Sequence, residues 1–257
     1  MSLIHQTAII DPGARLGEGV EVGAYCVIGR DVALGDGCVL ANHVSIAGHT
    51  SIGPRNRFSP FASIGEKSQD LKYDGEPTFL EIGADNSFRE FCTINRGTAK
   101  NSRTLIGNHN NFLAYAHVAH DCIVGNHVIF SNNGTLAGHV IVEDHAVIGG
   151  LSGVHQFCRI GTHAILGGCT KIVQDVAPYM IADGNPAELR GVNQVGLERR
   201  GFPAGTLRSL RESYRLLCRS NLNVKQAIEA IVSQIPATPE IEHLVAFVSA
   251  SKRGIVR

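Results

Sequence analysis

From Ile4 onward every sixth position is apolar: Ile10, Leu16, Val22, Ile28, Leu34, Leu40, Ile46, Ile52, Phe58 and Ile64. The series resumes in phase at Ile82, Phe88 and Ile94. It then runs from Ile106 through Phe112, Val118, Val124, Phe130, Leu136, Val142, Ile148, Val154, Ile160 and Leu166 to Ile172. Only Asp70, Glu76 and Lys100 hold in-phase positions without being apolar. A period of six is neither the 3.6 of a helix nor the 2 of a simple strand. It is the internal repeat of a solenoid.

The residue after the repeat position is often glycine, as at Gly17, Gly23, Gly35, Gly107 and Gly161. Glycine there suits a corner with positive φ or tight packing against the next coil. The fourth residue after the repeat position is usually small, as at Cys26, Cys38, Ala62, Cys92, Ala116, Cys122, Ala146, Cys158 and Ala164. Each hexad therefore offers one large and one small inward side chain. Three hexads close a triangular coil, and such coils stack in parallel at about 4.8 Å, the strand spacing. The pattern predicts a mainly β chain, a parallel β-helix of hexapeptide repeats.

Two stretches break the rhythm. Residues 66–81, EKSQDLKYDGEPTFLE, carry charges and Pro77, and residues 95–105 carry Asn95, Arg96, Gly97 and Thr98. Because the repeat resumes in phase, both read as loops extruded from the coil, and long excursions of this kind usually serve a purpose. Pro178 and the loop through Pro186 end the solenoid, which gives a β-helix over 1–190 and a helical domain over 191–257. Pro203 opens one predicted helix, with Leu207, Leu210, Tyr214 and Leu217 on one stripe. Asn223 caps a second. Thr238, Pro239 and Glu240 supply the cap, first-position proline and acidic first turn of a third. An open solenoid end needs a cover, and these helices are candidates for it.

Composition narrows the function. Across 257 residues Lys plus Arg equal Asp plus Glu at 23 each, so no overall charge draws the chain to nucleic acid or to a membrane surface. No long apolar run and no leader pattern is evident, and the expectation is a soluble cytoplasmic protein without a membrane span. Five of the seven cysteines sit in the small inward slot and no CxxC occurs, so reduced structural thiols are expected.

Stacking sorts the twelve histidines. His109, His127, His145 and His163 are eighteen apart and form a ladder at one corner. Zn²⁺ wants converging ligands rather than a row, which weighs the ladder toward structure. A second group, His117, His120, Asp121, His139, His155 and Gln156, reaches one edge from three neighbouring coils, with Gly138 one coil above His120. Imidazole titrates near neutrality, so this strip suits general acid–base work against the plainer reading of a solvated turn. No GxSxG elbow is present, and the inward cysteines do not suit a thiol nucleophile.

The segments QDLKY (69–73), NRGT (95–98), AHVAHDCIVGN (116–126), LAGHV (136–140), VHQF (154–157) and GLERRGF (196–202) together resemble the family of UDP-N-acetylglucosamine acyltransferases that begin lipid A synthesis in Gram-negative bacteria. The likeness spans essentially the whole chain. It implies a left-handed coil, a homotrimer with active sites in the clefts between subunits, and transfer of a 3-hydroxyacyl chain from acyl carrier protein to the glucosamine 3-hydroxyl of UDP-GlcNAc. It implies no metal and no cofactor of the enzyme's own, since the 4'-phosphopantetheine arrives on the carrier protein. By the same resemblance His120 is the general base, Asp121 supports it, and the Gly138 N–H stabilises the thioester oxyanion. Asp70, His117, His139 and Gln156 line the sugar and acyl sites, with Gln69, Lys72 and Asn95 nearby. His155, Asn193, Arg199 and Arg200 serve the nucleotide end, and Gly168 matches a position that limits acyl-chain length.

Asn95, Pro186 and Val195 depart from residues common in the family. Independently of the family, Arg190, Arg199, Arg200, Arg208, Arg211, Arg215 and Arg219 against Glu198 and Glu212 make residues 190–220 a local basic surface. An acidic carrier protein would dock there by charge, and a merely solvated helix face is the alternative. The rivals to the whole reading are an N-acyltransferase of the same pathway, a metal-dependent hexapeptide enzyme of the γ-carbonic anhydrase type, and a non-catalytic scaffold.

Overall fold

The structure, a computed structural model, describes residues 3–257. Among these residues twenty-eight short strands order into sheets of eleven, nine and eight, and almost every pairing is parallel. The first sheet stacks Glu21–Val22, Val39–Leu40, Arg57–Phe58 and Ser87–Phe88 in register, and the other two follow the same rule one hexad later. The three sheets wall a left-handed parallel β-helix. The repeat positions form its core: Phe58, Phe88, Phe112 and Phe130 are buried and stack at 4.8–4.9 Å between ring centroids. The described N-terminal coil has no coil beneath it, so Ile4 keeps 46% of its surface exposed despite its in-phase position.

Each coil has three corners, and they differ in content. The first corner lies between the first and second sheets, the second between the second and third, and the third between the third and first. At the third residue after the repeat position the chain turns through positive φ, and that residue is rarely glycine: Tyr25, His43, Phe61, Phe91, Tyr115, Asp121, His139 and His163 all lie there. The glycines directly after the repeat position do the other job. A Cβ on Gly23 would come within 2.7 Å of the Ala41 carbonyl carbon, and one on Gly35 equally close to Gly53, so these glycines permit close coil stacking. Gly65, at φ +79°, is an exception.

Not every inward slot is apolar. Asn56, Asn86 and Asn110, all at most 1% exposed, form a ladder at the third corner. The Asn56 Oδ1 accepts from Asn86 Nδ2 at 2.9 Å, and Asn86 and Asn110 also donate to glycine carbonyls of the next coil. The cysteines behave as expected: five are buried inward and all seven are free, with Cys169 exposed.

The solenoid runs further than Pro178 suggests. Met180–Asp183 adds to the first sheet in parallel, and Glu188–Val192 folds back antiparallel on it. Four helices follow: α1 (Gln194–Arg199), α2 (Ala204–Cys218), α3 (Val224–Gln234) and α4 (Pro239–Ser249). The first is not evident from periodicity because six residues are too few to show one. Asn223 makes a full capping box on α3, and the Thr238 side chain caps α4 ahead of Pro239. The tail seals the last coil, where buried Asp175 accepts from Arg159 N and Ser251 Oγ, both at 2.8 Å, and its backbone pairs with the chain around Ile255.

Candidate active site

Both extruded loops leave the solenoid at the second corner, in consecutive coils. The next coil at that corner carries Ala119, His120 and Asp121, the one above it Gly138 and His139, and the one above that Gln156 and Phe157. The register that places core residues eighteen apart thus also stacks these polar ones. The His139 N–H donates to the His120 carbonyl, and the Phe157 N–H to that of Gly138.

His120 is only 9% exposed. Its Nδ1 lies 2.9 Å from Asp121 Oδ2, and its Nε2 lies 4.0 Å from Asp70 Oδ2, which reaches over from the 66–81 loop. His139 crosses it edge-to-face at 5.2 Å and stacks on Phe157 at 4.7 Å. A Cβ on Gly138 would fall 2.5 Å from His120 Nε2, so glycine is what lets the imidazole sit there. The Gly138 N–H makes no hydrogen bond to any described residue, which leaves a free donor beside Nε2.

Asp121 is gripped from several sides. Its Oδ2 also accepts from the Thr98 N–H at 3.1 Å, and its own N–H donates to Thr104 Oγ1 at 2.9 Å. Burial works to raise its carboxyl, but the Ser102 hydroxyl, His120, His139 and the Thr98 N–H outweigh it and hold the group below the usual carboxylate range. A carboxylate acceptor at Nδ1 selects the tautomer with the proton on that nitrogen, leaving Nε2 as a base. His117 borders the cluster on the second sheet, with Nδ1 2.7 Å from Thr93 Oγ1. Burial holds it below the usual imidazole range; its hydrogen bond to Thr93 opposes this and the neighbouring His120 adds to it.

Other expected site residues lie elsewhere or do other work. Gln69, Lys72, His155 and Gln156 are exposed around the same corner. Asn95 is 4% exposed, and its amide donates to the Lys67 carbonyl, so it roots the loop instead of facing the cleft. Asn193, Arg199 and Arg200 are at the third corner, across the third sheet from His120. The Asn193 Nδ2 donates to the His163 carbonyl and its Oδ1 caps α1, while Arg199 and Arg200 are exposed. Gly168 lies at the first corner, where a Cβ would meet nothing closer than 3.5 Å and a larger side chain would project outward. One chain therefore does not gather all of these residues.

The histidine ladder occupies the third corner as a ring stack, with centroids 4.7–4.9 Å apart and interplanar angles of 9–18°. Burial, His145 and Arg200 push His163 down to about 4, with Asp144 opposing. Parallel stacked rings aim no lone pairs at a common point. The convergent donors are instead at the second corner, where His120, Asp121 and His139 bring ligand atoms within 4.8 Å of one another. A cation there would have to take Asp121 from the hydrogen bonds that orient His120. A cavity of about 460 Å³ opens beside this cluster between His139, Phe157, Arg159, Lys252 and Arg253.

The contacts made by Thr98, Thr104, Ser68 and Thr93 are the ones that the sequence does not reveal. They span 17 to 30 residues, at offsets that the loops shift off the eighteen-residue ruler. The NRGT segment was the one available signal.

No helix among the described residues is long and apolar enough to cross a membrane. Residues 175–256 match the model of the second domain of UDP-N-acetylglucosamine O-acyltransferases. A relative from Thermodesulfovibrio yellowstonii, named acyl-[acyl-carrier-protein]–UDP-N-acetylglucosamine O-acyltransferase, is 49% identical over the full length of both chains. The solved structure of LpxA from Acinetobacter baumannii matches with a TM-score of 0.96 at 48% identity, covering 99% of this chain and 100% of that one. LpxA from Bacteroides fragilis, a UDP-N-acetylglucosamine acyltransferase, matches with a TM-score of 0.97 at 39% identity and the same coverage. With its repeat, both loops and helical tail shared end to end, the chain belongs to the acyl-[acyl-carrier-protein]–UDP-N-acetylglucosamine O-acyltransferase family.

Proposed function

We propose that this chain transfers a 3-hydroxyacyl group from acyl carrier protein to the glucosamine 3-hydroxyl of UDP-GlcNAc by direct attack on the thioester. The observation that carries the reading is His120 itself: Nδ1 engaged by Asp121, Nε2 without a hydrogen bond to any described residue and 4.0 Å from Asp70, and the unpaired Gly138 N–H beside it. Nε2 removes the hydroxyl proton as the oxygen attacks the thioester carbon. Charge then develops on the carbonyl oxygen, where an unpaired backbone N–H stabilises it. As the C–S bond breaks, the imidazolium returns its proton to the leaving pantetheine sulfur. Asp121 keeps the ring oriented and balances its charge. Asp70, from the loop, is at the right range to hold the incoming sugar.

The site residues at two corners call for more than one copy. At the first corner Tyr25, His43, Phe61, Phe91 and Tyr115 stack at 4.9–5.1 Å, and the four aromatics among them remain 42–59% exposed. A solvent-exposed aromatic rib of this length is unusual for a surface left bare. A homotrimer with this rib along its threefold axis faces the second sheet of one copy with the first sheet of the next. Arg199, Arg200 and Asn193 of that next copy then approach His120, and paired arginines suit a diphosphate. Gly168, at the same corner three coils beyond Tyr115, ends the cleft where an acyl chain would stop.

Incubating the protein with UDP-GlcNAc and a panel of acyl carrier protein thioesters, with mass spectrometry of the product, tests the reaction. An O-acylated sugar nucleotide is expected, and His120→Ala lowers turnover by about 10²- to 10⁴-fold. Absence of acylated product with every thioester overturns the reading.

A further inference from the structure

We propose that Thr98 is a positioning residue for the transfer reaction, joining the two carboxylates that flank the base; the inference rests on the reaction assigned above. Its main chain and its side chain act in opposite directions. The Thr98 N–H donates to Asp121 Oδ2, on the Nδ1 side of His120. The Thr98 hydroxyl shares a 2.6 Å hydrogen bond with Ser68 Oγ, which in turn accepts from the Asp70 N–H at 3.1 Å. Asp70 closes an Asx turn by accepting from the Lys72 N–H at 2.9 Å, and so presents Oδ2 toward the Nε2 side of His120. One residue thus registers the acceptor-facing loop against the catalytic imidazole.

The rest of the 95–105 excursion makes Thr98 a rigid post. The Arg96 N–H donates to the Glu66 carbonyl, and the guanidinium bonds the Gly65 carbonyl and reaches the Tyr73 hydroxyl. The Gly97 N–H donates to Phe79 O and the Asn101 N–H to Pro77 O, so both roots of the longer loop are tied to the shorter one. Ser68 is 5% exposed, whereas Gln69, Leu71 and Lys72 stand out in solvent, Leu71 fully so. The Ser68–Thr98 bond is therefore the last buried tether before the exposed tip that carries Asp70. Two consecutive excursions at one corner have a physical purpose on this view: the shorter one fixes where the longer one points.

Thr98→Val removes the hydroxyl while keeping the N–H and the side-chain shape, and Ser68→Ala cuts the same bond from the loop side. Each is expected to raise KM for UDP-GlcNAc about five- to tenfold, the scale of one buried hydrogen bond, with kcat within about twofold of wild type. Tryptic cleavage after Lys67 and Lys72 should accelerate in parallel, a readout that needs no substrate. The double variant should be no worse than either single one, and Thr98→Ser should restore both values. Wild-type KM and wild-type cleavage in both single variants would overturn the inference. So would additive effects in the double variant, or a fall in kcat with KM unchanged. Failure of the wild type to acylate UDP-GlcNAc would instead remove the reaction itself, while the cleavage rates still report whether Thr98 tethers the loop.

Discussion

The imidazole of His120 donates through Nδ1 to Asp121, and everything else at that ring depends on what touches Nε2. Gly138 leaves that side open. In a Gly138→Ala variant the new methyl falls within 2.5 Å of Nε2, and the three nearest atoms all belong to the imidazole, so the ring must move. A misplacement of this size costs on the order of a hundredfold in turnover. Steady-state kinetics should show that loss in kcat, with the thermal midpoint little changed. The positions of His120 and Gly138 beside each other are legible from stacking arithmetic because both lie in unbroken coils. Those of Ser68 and Thr98 are not, since no periodicity relates two irregular loops.

At the scale of elements, the histidine ladder and helix α2 each yield an expected outcome. His163 has 9% of its surface exposed and is held near 4 by burial, by His145 and by Arg200. The unfolded chain binds this proton with an ordinary imidazole affinity. Stability is therefore full above about 6.5 and is lost as the pH falls toward 4, by an amount on the order of 3 kcal/mol. His163→Phe keeps the stacked ring and removes the titration, so its melting temperature should fall less between pH 7 and pH 4.5 than that of wild type. The three arginines of α2 and Arg219 at its C-cap behave differently. Arg215 is paired with Glu212 at 2.6 Å and Arg219 lies over Tyr214, whereas among the described residues Arg208 has no acidic partner and Arg211 reaches only Gln194. Charge reversal of Arg208 and Arg211 together should raise KM for the acyl carrier protein substrate and steepen no other constant. An unchanged KM in that assay would leave α2 as a solvated face.

For the whole molecule, the division of site residues between corners is the decisive feature. If the catalytic cluster of one copy works with the arginines of the next, mixed trimers should complement. Refolding His120→Ala with Arg200→Ala should return activity that neither has alone, in about a quarter of the clefts for random mixing. Activity no greater than the sum of the separate variants would place each site within one chain. Phe61→Glu and Phe91→Glu on the exposed rib should yield monomers by light scattering and lose activity with them.

The coil is written in the repeat alone. A strict six-residue period, with large and small inward slots, has one way to bury its apolar side chains, and that geometry already stacks Gly138 over His120 and rows His109 with His163. It also marked where the solenoid is interrupted. How the interruptions meet emerges from the folded chain: both excursions share one corner, Asn95 roots a loop and Asn193 caps a helix, and the positive-φ corner falls mostly to rings and polar side chains while glycine spaces the coils. Hydrogen bonds between irregular segments depend on where chain ends are carried in space. A repeat encodes position only for residues that keep its phase.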